Sequence, residues 1–216
     1  MKTRTARFAS TVVAGLALGV MVSLLAGCAV GSGTDEAAKS GAGYISGNGT
    51  ITEWPPTARG KPATFVAEKT TTGEAIRADT YRGQVLVLNF WYAGCPPCRA
   101  EARDLEAVRQ TYFGKGVSFL GVNLYDTAAT INSFNTKYGV TYPSLMDTDG
   151  GVMLDFAGNF SPRSVPTTLV LDPQGRVAAR ILGRIESQTT LEALIEAAQA
   201  GPTISELEQQ VTGRSR

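Results

Sequence analysis

The spacing of apolar positions changes several times along the chain, and each change predicts an element. Val85 to Phe90 is an apolar run broken only by Asn89, short enough for a fully buried strand. Beyond it Ala102, Leu105, Val108 and Tyr112 recur at helical spacing, so a strand is predicted to run into a helix. That helix is predicted to end near Phe113, with Gly114 and Gly116 as stop signals. Val117 to Leu124 reads as a second buried strand, and the two strands are far enough apart for a parallel crossover. Ala128, Ile131, Phe134 and Tyr138 predict an amphipathic helix from Thr127, closed by Gly139. A short extended piece at Tyr142–Met146 and a brief helix around Val152, Leu154, Phe156 and Ala157, ending near Gly158, follow.

The next strand opens at Ser164 and runs to Leu171. Asp172-Pro173-Gln174-Gly175 has the order of a type I turn, so Arg176 to Leu182 is predicted to return antiparallel. Gln188 to Ala200 places Leu191, Leu194, Ile195 and Ala198 on one helix face, and Gly201-Pro202 breaks it. Ile204, Leu207 and Val211 suggest one more short helix followed by a polar tail, the two together making up 201–216. Upstream, Ala63 to Arg77 reads as a small hairpin turning at Thr71-Thr72-Gly73. The order predicts an α/β domain over 61–200, with a mixed central sheet flanked by helices.

The start of the chain follows another pattern. Met1 to Arg7 carries three positive charges, and Phe8 to Leu25 is nearly free of polar groups. Leu25-Ala26-Gly27-Cys28 comes next. A positive start, an apolar middle and small residues before a cut site describe an export signal over 1–27. The last four residues resemble the bacterial lipobox, whose cysteine is acylated, which makes Cys28 a lipidation site. An uncleaved transmembrane anchor is the alternative, since the apolar stretch approaches the ~20 residues that span a bilayer. From Ala29 to about Arg59 the chain is rich in Gly, Ser, Thr and Ala without apolar periodicity. Residues 28–60 are therefore expected to form a flexible tether, reaching roughly 30 Å for about 30 residues, with Trp54-Pro55-Pro56 able to lie on the domain.

Composition narrows the function. The net charge is +1, and setting aside Lys2, Arg4 and Arg7 leaves 17 basic against 19 acidic residues. Nucleic-acid binding usually demands a marked basic excess, so no nucleic-acid partner is expected. The chain contains no histidine, which excludes His-based triads and imidazole ligation of metal or haem.

The chemistry lies at the strand-to-helix junction, where Cys95-Pro96-Pro97-Cys98 occupies the helix's first turn. The first N–H groups of a helix have no intrahelical partner and the dipole is positive there, so a thiolate is favoured over a thiol. Proline is tolerated because its missing N–H would have been unpaired anyway. Two cysteines so spaced can attack and resolve a disulfide by exchange. Zinc wants four ligands, and the only other cysteine is Cys28, so no metal or other cofactor is expected. A purely structural bridge is disfavoured, because so short a loop removes little chain entropy.

These residues resemble the thioredoxin superfamily and, within it, the TlpA/ResA-like membrane-anchored disulfide reductases. The resemblance covers about Lys61 to Ala200. It rests on Asn89-Phe90-Trp91-x-x-x-Cys95-Pro96-Pro97-Cys98-Arg99-x-Glu101, on Val165-Pro166-Thr167, and on Asp172-Pro173-x-Gly175-Arg176. It implies a thioredoxin-like three-layer sandwich with an N-terminal hairpin and a central insertion over Asp126 to Phe160. It implies Cys95 as the more exposed attacking cysteine, Cys98 as the buried resolving one, and Pro166 as a cis-proline beside them. Trp91, Val165 and Thr167 become expected substrate contacts. Thioredoxins proper carry an Asp where this chain has Asn89, so the proton-transfer role is expected to pass to Glu101, one turn after Cys98. Two departures stand out: Gly94 replaces the second tryptophan of most relatives, and Asn159 to Arg163 lengthens the approach to Pro166.

The resemblance further implies a lipid-anchored, extracytoplasmic thiol–disulfide oxidoreductase acting on protein substrates. A reductase for apocytochrome c, fed by a CcdA-type membrane electron donor, is the leading expectation. An oxidant that forms disulfides is the alternative, disfavoured because Pro-Pro separates the cysteines without the histidine of strong oxidants. A thiol peroxidase of AhpC/TSA type needs a Pro-x-x-x-Thr-x-x-Cys loop, and Trp-Tyr-Ala-Gly precedes Cys95. A redox-dead binding module is disfavoured by the intact cysteine pair.

Overall fold

Strand β5 (Val85–Trp91) is buried at every position in the computed structural model, which describes residues 44–45, 48–161 and 164–201. On one side it pairs in parallel with β6 (Val117–Asn123), and on the other it pairs antiparallel with β8 (Thr167–Leu171). A strand flanked on both edges and covered on both faces is apolar almost throughout, here at every position but Asn89, which is why its sequence is a run and not an alternation. The full sheet also contains β1 (Tyr44–Ile45), β2 (Ile51–Glu53), β7 (Ser144–Met146) and β9 (Val177–Leu182), in the order β1-β2-β9-β8-β5-β6-β7. A separate hairpin joins β3 (Val66–Ala67) to β4 (Ile76–Arg77), where the turn signals placed it.

Side chains of β5 alternate between two cores. Val85, Val87 and Trp91 share a cluster with α1 (Pro96–Thr111), α2 (Ala128–Tyr138) and α4 (Gln188–Ala200). Leu86, Leu88 and Phe90 face Ala63, Phe65, Phe160 and the five-residue α3 (Gly151–Asp155). The result is the three-layer, thioredoxin-like α/β arrangement that the resemblance implied. Asp126 to Phe160, expected as the insertion, supplies α2 to one face, β7 to the sheet edge and α3 to the other face. Helix ends follow the predicted signals: Thr127 caps α2, and Gly139 closes it with φ +75°.

One expectation is corrected. Part of the tether assigned to 28–60 belongs to the domain, since Tyr44–Ile45 and Ile51–Glu53 are both strands of the central sheet. Ile51, Thr52 and Glu53 pair with Ile181, Arg180 and Ala179, and the Trp54 N–H donates to the Ala178 carbonyl at 2.8 Å. Arg59 ties the segment down, donating to Asp172 Oδ2 at 3.1 Å and to the Trp54 carbonyl at 3.0 Å. Three residues are too few to show a period, and their partner strand lies far away in sequence. The leader, Cys28 and the expected short helix at Ile204–Val211 lie outside the described residues.

Candidate active site

The carboxyl end of β5 delivers the cysteines. Trp91 is its last residue, a turn follows in which the Cys95 N–H donates to the Tyr92 carbonyl at 3.2 Å, and α1 begins at Pro96. Cys95 is the N-cap, and its Sγ accepts the Cys98 N–H at 3.2 Å. The sulfur thus takes the place that a Ser or Asp oxygen takes at other helix starts, which is where negative charge is favoured. Cys95 and Cys98 form a disulfide, with S–S 1.99 Å.

The two sulfurs are not distinguished by exposure, contrary to expectation: both cysteines are 2% exposed. Gly94 and Pro96, on either side of Cys95, are both exposed. What separates the pair is position on the helix, Cys95 capping it and Cys98 lying inside its first turn.

The Val165–Pro166 bond is cis. Thr167 pairs with Phe90, so the register places Pro166 alongside the end of β5, next to the cysteine loop. The Pro166 carbonyl accepts the Gly183 N–H at 2.8 Å, and half-buried Val165 packs against the cluster that holds both cysteines. Trp91 and Thr167, expected as substrate contacts, are both buried. Trp91 is 4% exposed with its ring 4.3 Å from that of Phe134. Thr167 is fully buried, and its hydroxyl donates to the Ser164 carbonyl. Both shape the site from within.

Glu101 is fully buried beneath α1. Asn89 lies on the β5 face toward that helix, and its amide donates to Glu101 Oε1 at 2.9 Å and to Thr168 Oγ1 at 3.2 Å. The Ile185 N–H donates to Oε2 at 2.9 Å. Burial pushes the Glu101 carboxyl up to about 7, against the opposing pull of the Ile185 N–H, the Asn89 amide and the Arg184 charge. Glu101 shares α1 with Cys98, three residues further along the helix. Tyr142, also buried, has its phenol pushed up by burial first and then by the negative charge of Glu101.

Sequence reasoning missed three parts of this site. The Ile185 N–H carries no residue signal, being backbone from the loop before α4. Thr168 is hidden within an apolar strand. The third is a clamp on the loop before Cys95: Asp126 Oδ2 accepts the Ala93 N–H at 2.6 Å and the Asn123 amide at 2.8 Å. The adjacency of Asn and Asp around the end of β6 was the only available hint.

Comparison with known proteins agrees with this geometry. Residues 59–180 match the AhpC/TSA family. The thiol-disulfide oxidoreductase ResA of Bacillus subtilis is 34% identical over 119 residues, which are 55% of this chain and 64% of that protein. The thiol:disulfide interchange protein HelX of Rhodobacter capsulatus is 34% identical over 147 residues, 66% of this chain and 79% of that protein. Among solved structures, MTB dsbF superposes with TM-score 0.56 at 31% identity, covering 65% of this chain and 100% of its own. A DsbF homologue from Corynebacterium diphtheriae gives TM-score 0.61 at 28% identity, with 71% and 96% covered.

Proposed function

The chain belongs to the AhpC/TSA family, in its thiol–disulfide oxidoreductase branch, and from that premise we propose that it is an extracytoplasmic protein-disulfide reductase. The observation that carries the reading is the Cys95–Cys98 disulfide with Cys95 as helix N-cap. In the reduced protein the Cys95 thiolate attacks one sulfur of a substrate disulfide. That S–S bond breaks, the departing substrate thiolate takes a proton, and a Cys95–substrate mixed disulfide remains. Cys98 then gives up its proton, its thiolate attacks Cys95 Sγ, and the second substrate thiol leaves. Two electrons have passed to the substrate, and the Cys95–Cys98 disulfide awaits an external dithiol donor.

Glu101 is the proposed acceptor of the Cys98 proton. It stands one turn further along α1, and a carboxyl near 7 both takes and releases a proton at neutral pH. Unchanged thiol pKa values and reduction rates in Glu101→Gln would remove it from this role. Pro166 supplies the wall beside the cysteines, and Val165 the remaining substrate contact of the loop. The Pro-Pro pair between the cysteines, without histidine, supports the reductase direction over the oxidant. A reduction potential above about −150 mV, toward the strong-oxidant end, would reverse it. A peroxidase role draws no support from the Trp-Tyr-Ala-Gly that precedes Cys95.

The leader sequence supports anchoring through lipidated Cys28 on the outer face of the cell membrane, with apocytochrome c as substrate and a CcdA-like electron donor as the family-based partners. Cys28→Ser should move the protein from the membrane pellet to the soluble fraction. The decisive experiment is Cys98→Ala in cells, which cannot resolve its mixed disulfide. Dithiothreitol-sensitive adducts are expected, and their identity names the substrate. Absence of adducts, together with no insulin reduction by the wild type, would refute the reading.

A further inference from the structure

Beside the cysteines stands an aromatic pair that the chemistry above does not use. Tyr125, in the loop between β6 and α2, is 66% exposed. Its one ring contact among the described residues is Tyr92, with centroids 5.2 Å apart and planes at 70°. Tyr92 belongs to the turn that delivers Cys95, whose N–H binds the Tyr92 carbonyl at 3.2 Å. The exposed ring is therefore linked to the reactive sulfur through a single turn.

The loop that carries it is held firmly. Asn123 is fully buried, and its Oδ1 accepts the N–H groups of Tyr125 at 3.2 Å and Asp126 at 2.8 Å. The Leu124 N–H donates to the Trp91 carbonyl at 3.1 Å, and Asp126 grips Ala93. Two segments far apart in sequence are bolted together, and the product of the bolting is an aromatic ring kept in water. Nothing in folding rewards that exposure. A preorganised tyrosine loses little rotamer entropy on contact and offers a large apolar face, the properties of a recognition residue. Gly94, exposed between Tyr92 and Cys95, adds no side chain, and a Cβ there would already stand 3.4 Å from the Tyr92 ring. The approach to the ledge is open because of it.

We propose that Tyr125, braced by Tyr92, is a specificity-determining residue that receives an aromatic or aliphatic side chain flanking the cysteine of the incoming polypeptide. The inference rests on the thiol–disulfide reading above. Exposed Arg99, directly after Cys98, disfavours a basic side chain at the same approach.

The test uses the reduced full chain and pentapeptides whose central cysteine is disulfide-linked to 5-thio-2-nitrobenzoate. The flanking residues are both Phe, both Ala or both Lys. Second-order rates of coloured thiol release are compared as ratios within each protein variant. The wild type should favour the Phe peptide over the Ala peptide about five-fold, the size of one aromatic contact. Tyr125→Ala should bring that ratio close to one, and Tyr125→Phe should keep it, since the ring remains. A wild-type ratio near one, or the same ratio in Tyr125→Ala, overturns the assignment. If no peptide releases the coloured thiol, the redox reading itself falls and the ledge falls with it.

Discussion

Glu101 and Asp172 are both buried carboxylates, 0% and 1% exposed, and the protein treats them in opposite ways. Asp172 follows the last residue of β8 and is met by two guanidinium groups, with Arg59 at 3.1 Å and Arg176 at 2.8 Å. The N–H groups of Gln174 and Arg176 also donate to it, at 3.0 and 2.9 Å. Glu101, near the other end of the same strand, has hydrogen bonds only from neutral donors, Asn89 and the Ile185 N–H. Burying a charge is costly unless full charges offset it: Asp172 is met by two guanidinium groups, whereas Glu101, met by neutral donors, is pushed up to about 7. One end of the sheet is clamped, and the end that carries the cysteines keeps a movable proton.

The largest effect is expected at the clamp. Asp172→Ala leaves the buried Arg59 guanidinium and the partly exposed Arg176 without their partner and should cost about 4 kcal/mol in chemical denaturation. A loss below about 1 kcal/mol, typical of a surface pair, would erase the contrast. Next comes the pH dependence of Glu101. Its folded value lies above its ordinary 4.5, so folding favours the protonated form. That contribution is fully present below about pH 4.5 and is lost as pH rises through about 7. Between pH 4.5 and 8 the oxidised wild type should therefore lose about 3 kcal/mol relative to Glu101→Gln. A difference that stays constant across that range would mean the carboxyl does not titrate in place.

Arg59→Ala removes one of the two cations on Asp172 and should cost about 2 kcal/mol, less than removal of the carboxylate itself. Hydrogen exchange should quicken at Ile51–Glu53 and not at β5, because Arg59 anchors only the edge segment. Equal exchange changes in both strands would show that the clamp is global. Asn89→Ala should cost the least, about 1 kcal/mol. It should also move the Glu101 titration to higher pH, because the Asn89 amide now lowers it. Carboxyl carbon shifts in labelled protein read that direction, and a shift to lower pH would contradict the assigned hydrogen bond.

Long elements were legible from the chain alone. β5, β6, α2 and α4 carry enough residues for a period or a run to declare itself, and α4 has the bounds that its apolar face and Gly201 indicated. β2 reads as tether in the sequence because Ile51-Thr52-Glu53 has no pattern of its own and becomes a strand through its pairing with β1 and β9. Within the site, the cysteine pair, the acid at Glu101 and the proline at 166 could be named from motifs. Equal burial of the two cysteines, and the inward packing of Trp91 and Thr167, could not.

Residue order alone therefore determined the chemistry: a Cys-x-x-Cys pair at a helix start, with no histidine to compete for another reading. Those are local facts, set by covalent spacing and by the unpaired N–H groups of a first turn. Tertiary structure alone decided what the carboxylates do. Glu101 titrates near neutrality because Asn89, 12 residues away, and Ile185, 84 residues away, bring neutral donors and exclude water. Asp172 is a clamp because Arg59 reaches it from 113 residues away. The balance between desolvation and compensating charge depends on which distant groups meet, and the fold sets those meetings.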